Sequence, residues 1–143
     1  MIKYPLHFEA SATGPSGIET RWSTQVTGHD PLTAAVPPEF EGPGGGYSPE
    51  DFYALAMMNC FIATYKVFAA KSGALFGTIS ARARLTVDRN AQGTPWMAAI
   101  DLHITVTGAE NPERIQRILE KTSKSCLVHN SVKTEVRFEF HVA

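Results

Sequence analysis

The fold is decided by residues 52–70, which read FYALAMMNCFIATYKVFAA and form the most apolar stretch of the chain. Just before them, Ser48, Pro49 and Glu50 supply an N-cap, a first helical residue and an acid beside the positive end of the helix dipole. Gly73 follows as a stop signal. The pattern predicts a helix that begins at Pro49, ends just before Gly73 and is apolar on nearly every side, so that it should be covered on most sides.

This stretch is also about long enough to cross a bilayer. It carries the polar side chains of Asn59 and Lys66, however, and strand-like segments follow it closely. We therefore interpret it as the core helix of a soluble domain and expect no membrane insertion. A helix this apolar is hard to bury within 143 residues, so we expect a second copy of the chain to cover part of it in a homodimer.

Strand patterns lie on both sides of the helix, since apolar and polar residues alternate there. The strand-like segments are residues 2–12, 19–27, 79–88, 98–107 and 135–142. Residues 28–47 are expected to form a long connection, and Asn111-Pro-Glu113 opens a second, amphipathic helix. The order ββ-α-ββ-α-β predicts an α+β fold, with antiparallel sheets packed around two helices in a single domain over residues 1–143.

Composition and charge exclude several function classes. Apolar residues make up 43% and charged residues 19% of the chain, which is a globular composition. The net charge of −1, without a basic patch, argues against nucleic-acid binding. The first residues, Met1 to Pro5, contain no apolar signal segment, so we expect a cytoplasmic protein. In that reducing compartment, cysteines are more often reactive or simply buried than bridged.

The two cysteines lie in different settings. Cys60 is in the middle of the apolar helix, and Cys126 comes just after the second helix. Free cysteine is often a small buried hydrophobic residue, and this is one interpretation of both. Two neighbouring thiols can instead form a redox pair, in which the first attacks and the second resolves. The residues alone leave both interpretations open.

Metal and phosphate sites have weak signals. Cys60, Cys126 and His129 would offer zinc three ligands without a Cys-x-x-Cys pair, so we predict no metal site. The glycines at 42–46 lack the Lys-Ser/Thr ending of a phosphate loop and are interpreted as a flexible segment leading into the helix. No other motif indicates a cofactor.

Over essentially its whole length, the chain resembles the OsmC/Ohr family of thiol-dependent hydroperoxide peroxidases. The resemblance rests on Gly44-Gly-Gly-Tyr-Ser-Pro-Glu50, on Cys60 ten residues later and on Cys126 after the second helix. The order of helices and strands agrees as well. The resemblance implies an intertwined homodimer with two active sites at its interface.

The chemistry that this resemblance implies is peroxide reduction by thiols. Cys60 would match the peroxidatic cysteine, which attacks the distal oxygen of an organic hydroperoxide and becomes a sulfenic acid. Cys126 would match the resolving cysteine and form a disulfide with Cys60, which a dithiol such as a lipoyl group would reduce. Glu50 would match the carboxylate that holds an activating arginine.

That arginine is where the sequence departs from the family pattern. In the Ohr branch it lies in the turn after the first strand, which here is Gly14-Pro-Ser-Gly17 and contains none. In the OsmC branch it comes shortly before the glycine-rich segment, where this chain has Glu39. Arg21 is the nearest candidate. Residues 57–59, Met-Met-Asn, also differ from the small residues common in the family, which indicates a divergent member.

Two other functions are compatible with the same fold. One is a non-catalytic protein that binds an apolar ligand in the dimer pocket, with Cys60 and Cys126 as packing residues. The other is a redox sensor, in which the Cys60–Cys126 disulfide alters the dimer for a partner. A cation near the Cys60 sulfur would favour the peroxidase, because a nearby positive charge stabilises the thiolate.

Overall fold

Helix α1 spans Pro49–Ser72 in the computed structural model, which describes every residue from Met1 to Ala143. Its start is closed by a reciprocal pair of hydrogen bonds: Asp51 N–H donates to Ser48 Oγ at 3.0 Å, and Ser48 N–H donates to Asp51 Oδ2 at 2.9 Å. Its end is marked by Gly73, whose φ of +65° favours glycine. Both predicted helix ends are confirmed.

The chain separates into two compact units, Met1–Phe52 and Tyr53–Ala143. The first contains an antiparallel sheet of three strands, β1 (Ala10–Thr13), β2 (Trp22–Val26) and β3 (Leu32–Ala34). The first two strands are shorter than predicted. The expectation that residues 28–47 form only a long connection is wrong in part, because this stretch contains β3 and a short 3-10 helix, Pro38–Phe40. Elements of three residues are too short to show a period.

The second unit contains the remainder of α1 and a second sheet of three strands. These are β4 (Thr78–Arg89), β5 (Pro95–Thr107) and β6 (Glu135–Val142), with helix α2 (Pro112–Ser125) between the last two. The β4–β5 hairpin is antiparallel, as predicted. The last pair differs from the predicted antiparallel arrangement, because β6 runs parallel to β5. Parallel neighbours require a crossover connection, and α2 provides it.

The core of the second unit lies between the helices and one face of this sheet. On β5, residues alternate, and Ile100, Leu102, Ile104 and Val106 are at most 1% exposed. From the helices, the fully buried large side chains are Met57, Phe61, Tyr65, Ile115 and Leu119. The α+β class and the order ββ-α-ββ-α-β are confirmed, with β3 as an addition.

Helix α1 is fully buried along one stripe only. Met57, Phe61, Tyr65 and Ala69 are buried, at a spacing of four residues, while Leu55 and Val67 are exposed. By length and composition α1 could cross a membrane, but its buried stripe is the pattern of a core helix. Within one chain, therefore, the helix is covered on fewer sides than its apolar sequence predicts.

Candidate active site

Cys60 lies on α1 and is half-buried. Its Sγ accepts a hydrogen bond from the backbone N–H of Val128, with a nitrogen–sulfur distance of 3.4 Å. The main chain therefore supplies a polar contact for this sulfur inside an otherwise apolar helix.

Cys126 is the C-cap residue of α2 and is fully buried. Its S–H donates to Thr122 O at 3.2 Å, and the side chains of Cys60 and Thr64 are close enough to influence its pKa. Burial, together with the neighbouring Cys60 sulfur, raises the pKa of Cys126 from 9.0 to about 12, against the lowering effect of Thr64. The structure thus brings together the two predicted cysteines as free thiols and keeps Cys126 protonated at neutral pH.

This difference predicts selective alkylation. In the folded, reduced protein at about pH 8, iodoacetamide should label Cys60 and leave Cys126 unmodified, because Cys126 is buried and protonated. Mass spectrometry of peptides after brief labelling measures the effect, and labelling in denaturant provides the control in which both react. Equal labelling of both cysteines in the folded protein would contradict the described environments.

His129 directly follows Val128, whose amide contacts Cys60, and lies at the start of a short 3-10 helix, His129–Ser131. Its Nε2 is 3.1 Å from Met57 O, and its ring packs against those of Phe61 and Phe138. Because a carbonyl can only accept, Nε2 carries the proton and Nδ1 is an acceptor, which is buried without a partner. Burial lowers the pKa of His129, although the Met57 carbonyl opposes this. With Cys60 and Cys126 the ring forms no group of metal ligands.

The lowered pKa of His129 predicts a pH-dependent stability. The unfolded chain takes up a proton near the usual pKa of 6.5, whereas the folded chain resists it. Stability should therefore fall as the pH drops below about 6.5, until the pKa of the folded state is reached. Urea unfolding at about pH 5 and about pH 7.5 measures the loss, which His129→Phe should reduce. An identical loss in the variant would show that His129 does not contribute.

Arg21 and Glu50 both lie in the first unit, without an ion pair between them. Arg21 Nε donates to Gly44 O at 2.7 Å, and a Cβ on Gly45 would lie 2.6 Å from a terminal nitrogen of the guanidinium. Glu50 is in the first turn of α1, and its Oε2 is buried without a hydrogen-bond partner. Glu39 is exposed on the short 3-10 helix.

The glycine-rich segment is more ordered than its composition predicts. Ala35 N–H donates to Tyr47 O at 3.0 Å, and Tyr47 N–H donates to Thr33 O at 2.9 Å, so the segment leading to α1 is pinned to the end of β3. Gly45, at a φ of +75°, leaves the space that the Arg21 guanidinium occupies. The interpretation of residues 42–46 as merely flexible is therefore replaced by a structural role, which is to seat Arg21.

Two groups close to the cysteine sulfurs, the Thr64 side chain and the Val128 amide, were not predicted from the sequence. Thr64 lies four residues after Cys60, on the same face of α1, and this spacing could have indicated it. The Val128 amide has no such signal, because every residue except proline carries the same group.

The family model described as OsmC-like protein matches residues 42–141. The chain belongs to this family. No curated protein sequence matches this OsmC-like protein.

Solved structures agree with the fold at low sequence identity. An OsmC-like protein of unknown function from Vibrio cholerae is similar with a TM-score of 0.83 and 18% identity, over 95% of this chain and 99% of that one. An organic hydroperoxide resistance protein OsmC from Legionella pneumophila gives 0.77 and 21%, over 99% of both chains. The organic hydroperoxide resistance protein OhrB of Bacillus subtilis gives 0.69 and 14%, over 95% and 98%. The OsmC-like protein is therefore a divergent member.

Proposed function

We propose that this OsmC-like protein is a thiol-dependent peroxidase that reduces organic hydroperoxides to alcohols. The observation that carries the proposal is the proximity of Cys60 and Cys126, which are free thiols in unequal environments, with the Val128 amide, two residues after Cys126, donating to the Cys60 sulfur. Family membership supports it, as do the structural neighbours named organic hydroperoxide resistance proteins.

In the first step, the Cys60 thiolate attacks the distal oxygen of the hydroperoxide. The S–O bond forms as the O–O bond breaks, and the alkoxide takes a proton and leaves as the alcohol. Cys60 suits this role because it is the more accessible thiol and accepts the Val128 hydrogen bond.

In the second step, Cys126 attacks the sulfenic acid sulfur of Cys60. The Cys126 proton joins the leaving hydroxide to form water, and a Cys60–Cys126 disulfide results. The raised pKa of Cys126, about 12, keeps it as the thiol until this step. A dithiol of the lipoyl type in the cytoplasm then reduces the disulfide by thiol–disulfide exchange and is itself oxidised.

We assign the activating cation to Arg21 and its orienting carboxylate to Glu50. Arg21 has no acidic partner, so its charge is uncompensated, and Glu50 has a buried oxygen without a donor. A guanidinium could satisfy that oxygen with a charge-assisted hydrogen bond. The proposal therefore requires Arg21 and Glu50 to pair in the working enzyme.

The working unit that we propose is a homodimer. The exposed apolar residues of α1, including Leu55 and Val67, need a cover, and a second copy of the chain is the partner that the family resemblance implies. Closing an apolar surface over Cys60 would favour alkyl hydroperoxides, since their affinity increases with buried apolar area.

Stopped-flow measurement of peroxide consumption tests the proposal. Reduced protein, a dithiol reductant and cumene hydroperoxide should give consumption well above that of the dithiol alone, and hydrogen peroxide should react more slowly. Arg21→Met should slow the reaction if Arg21 is the activating cation. Consumption no faster than with free dithiol would refute the peroxidase.

One observation favours a redox sensor as a second candidate. Cys126 is fully buried, so a reductant can reach the disulfide only from the side of Cys60. If reduction is slow, the oxidised form persists and turnover is small. Rapid disulfide formation with negligible sustained consumption would favour the sensor over the peroxidase.

A further inference from the structure

We propose that His129 is a positioning residue, which holds the turn Cys126–Ser131 against α1 so that the Val128 N–H meets the Cys60 sulfur and Cys126 faces it. This role deepens the proposed function, and its importance for peroxide reduction depends on that function. The contacts of the turn with α1 determine how the two thiols are aligned, whichever reaction the thiols carry out.

Two hydrogen bonds join this turn to neighbouring positions of α1. Val128 N–H donates to Cys60 Sγ at 3.4 Å, and His129 Nε2–H donates to Met57 O at 3.1 Å. Met57 and Cys60 are three residues apart, which places them on the same face of the helix. His129 therefore fixes the turn one helical turn away from the sulfur that the amide contacts.

The ring of His129 strengthens this attachment by packing. Its centroid is 6.3 Å from that of Phe61 and 5.5 Å from that of Phe138. Phe61 is fully buried and directly follows Cys60 in the chain. The imidazole is thus held between the helix that carries the attacking cysteine and strand β6.

Three hydrogen bonds within the turn tie its residues to one another. Asn130 N–H donates to Cys126 O at 3.0 Å, and Ser131 N–H donates to Val128 O at 3.0 Å. Ser131 Oγ donates to Leu127 O at 2.8 Å. Because the turn is bonded internally, releasing His129 from Met57 should displace both the Val128 amide and Cys126.

This alignment has a consequence at each step. Negative charge on the Cys60 sulfur strengthens the hydrogen bond from Val128, which makes that amide a fixed donor to the reacting atom. After oxidation, the same turn keeps Cys126 opposite the sulfenic acid. Misalignment should therefore slow disulfide formation more than it affects folding.

Two His129 variants separate the hydrogen bond from the packing. His129→Phe keeps an aromatic ring but loses the donor, whereas His129→Gln loses the ring but keeps an N–H close to the position of Nε2. Diamide, which accepts two electrons and two protons from a pair of thiols, serves as the oxidant, so that no hydroperoxide is needed. We expect Cys60–Cys126 disulfide formation to slow up to about tenfold in His129→Phe, the order of one lost hydrogen bond, and less in His129→Gln.

A backbone variant tests the Val128 amide directly. Cys126 allows a synthetic peptide of residues 126–143 to be ligated to residues 1–125, and the peptide can carry an ester in place of the Val128 amide. The ester removes the N–H and keeps the side chain. We expect alkylation of Cys60 by iodoacetamide at neutral pH to slow up to about tenfold relative to the all-amide ligation product.

The outcomes distinguish this inference from the proposed function. Wild-type protein that forms the disulfide with diamide but does not consume hydroperoxide would refute the peroxidase and leave the positioning role intact. Equal disulfide rates in wild type and His129→Phe would overturn the role of His129. Unchanged Cys60 alkylation in the ester protein would overturn the role of Val128, and it does so even if His129→Phe fails to fold.

Discussion

Replacing Cys60 by serine should reduce the consumption of cumene hydroperoxide to the rate of the free dithiol. The serine hydroxyl is not deprotonated near neutral pH and is a weak nucleophile without a base beside it. The expected loss in the rate constant is on the order of a thousandfold or more, as when an enzyme loses its nucleophile. Stopped-flow measurement with equal concentrations of wild type and Cys60→Ser gives the comparison.

Cys126→Ser is the matched variant for this result. It should retain the first reaction, because Cys60 and the Val128 amide remain in place, but it cannot form the internal disulfide. Without added dithiol, it should consume about one peroxide per chain and gain the mass of one oxygen at Cys60. Full peroxide consumption by Cys60→Ser would refute Cys60 as the attacking cysteine. If Cys126→Ser did not react with the peroxide at all, Cys126 would be more than the resolving cysteine.

Helix α1 shows how much of the fold local signals determine. Ser48, Pro49 and Gly73 each act on backbone groups within a few residues, so both helix ends follow from the sequence alone. The β4–β5 hairpin is likewise local, since alternation and a turn containing Gly93 are read along one segment.

Strand β6 shows that local sequence signals do not determine the direction in which strands pair. Its alternation correctly predicts a half-buried strand, with Val136, Phe138 and Phe140 on the core side. The same alternation is compatible with pairing in either direction, and the direction depends on the path of the chain through α2. Parallel pairing of β6 with β5 was therefore not predictable from the pattern.

Part of the candidate site is likewise predictable from the sequence, and the rest depends on tertiary contacts. Residue type and spacing predict Cys60, Cys126 and Glu50 as site residues, and the family resemblance makes that prediction specific. The contact of Cys60 with the Val128 amide depends on how the turn after α2 folds back onto α1, and no residue type reports it. By residue type His129 resembles a weak metal ligand, but its tertiary contacts make it a hydrogen-bond donor to Met57.

Phe61→Ala is the substitution for which we expect the largest loss of stability. Phe61 is 0% exposed, and its ring centroid is 5.6 Å from that of Phe138 and 5.8 Å from that of Phe140. Truncation removes this packing and leaves a cavity, which in buried phenylalanine typically costs about 3–5 kcal/mol. Urea denaturation measures the free energy of unfolding, and Leu75→Ala, at a side chain 60% exposed, is the control with an expected change within about 0.5 kcal/mol.

The same substitution connects the core with the site. Phe61 supports the ring of His129, and His129 holds the turn that carries Cys126. At low denaturant, where Phe61→Ala remains folded, its disulfide formation with diamide should therefore be slower than in Leu75→Ala. If Phe61→Ala loses stability but forms the Cys60–Cys126 disulfide at the wild-type rate, the turn is held by its hydrogen bonds alone. If the free energy of unfolding and the rate of disulfide formation both decrease, the packing that builds this core also sets the geometry of its two cysteines.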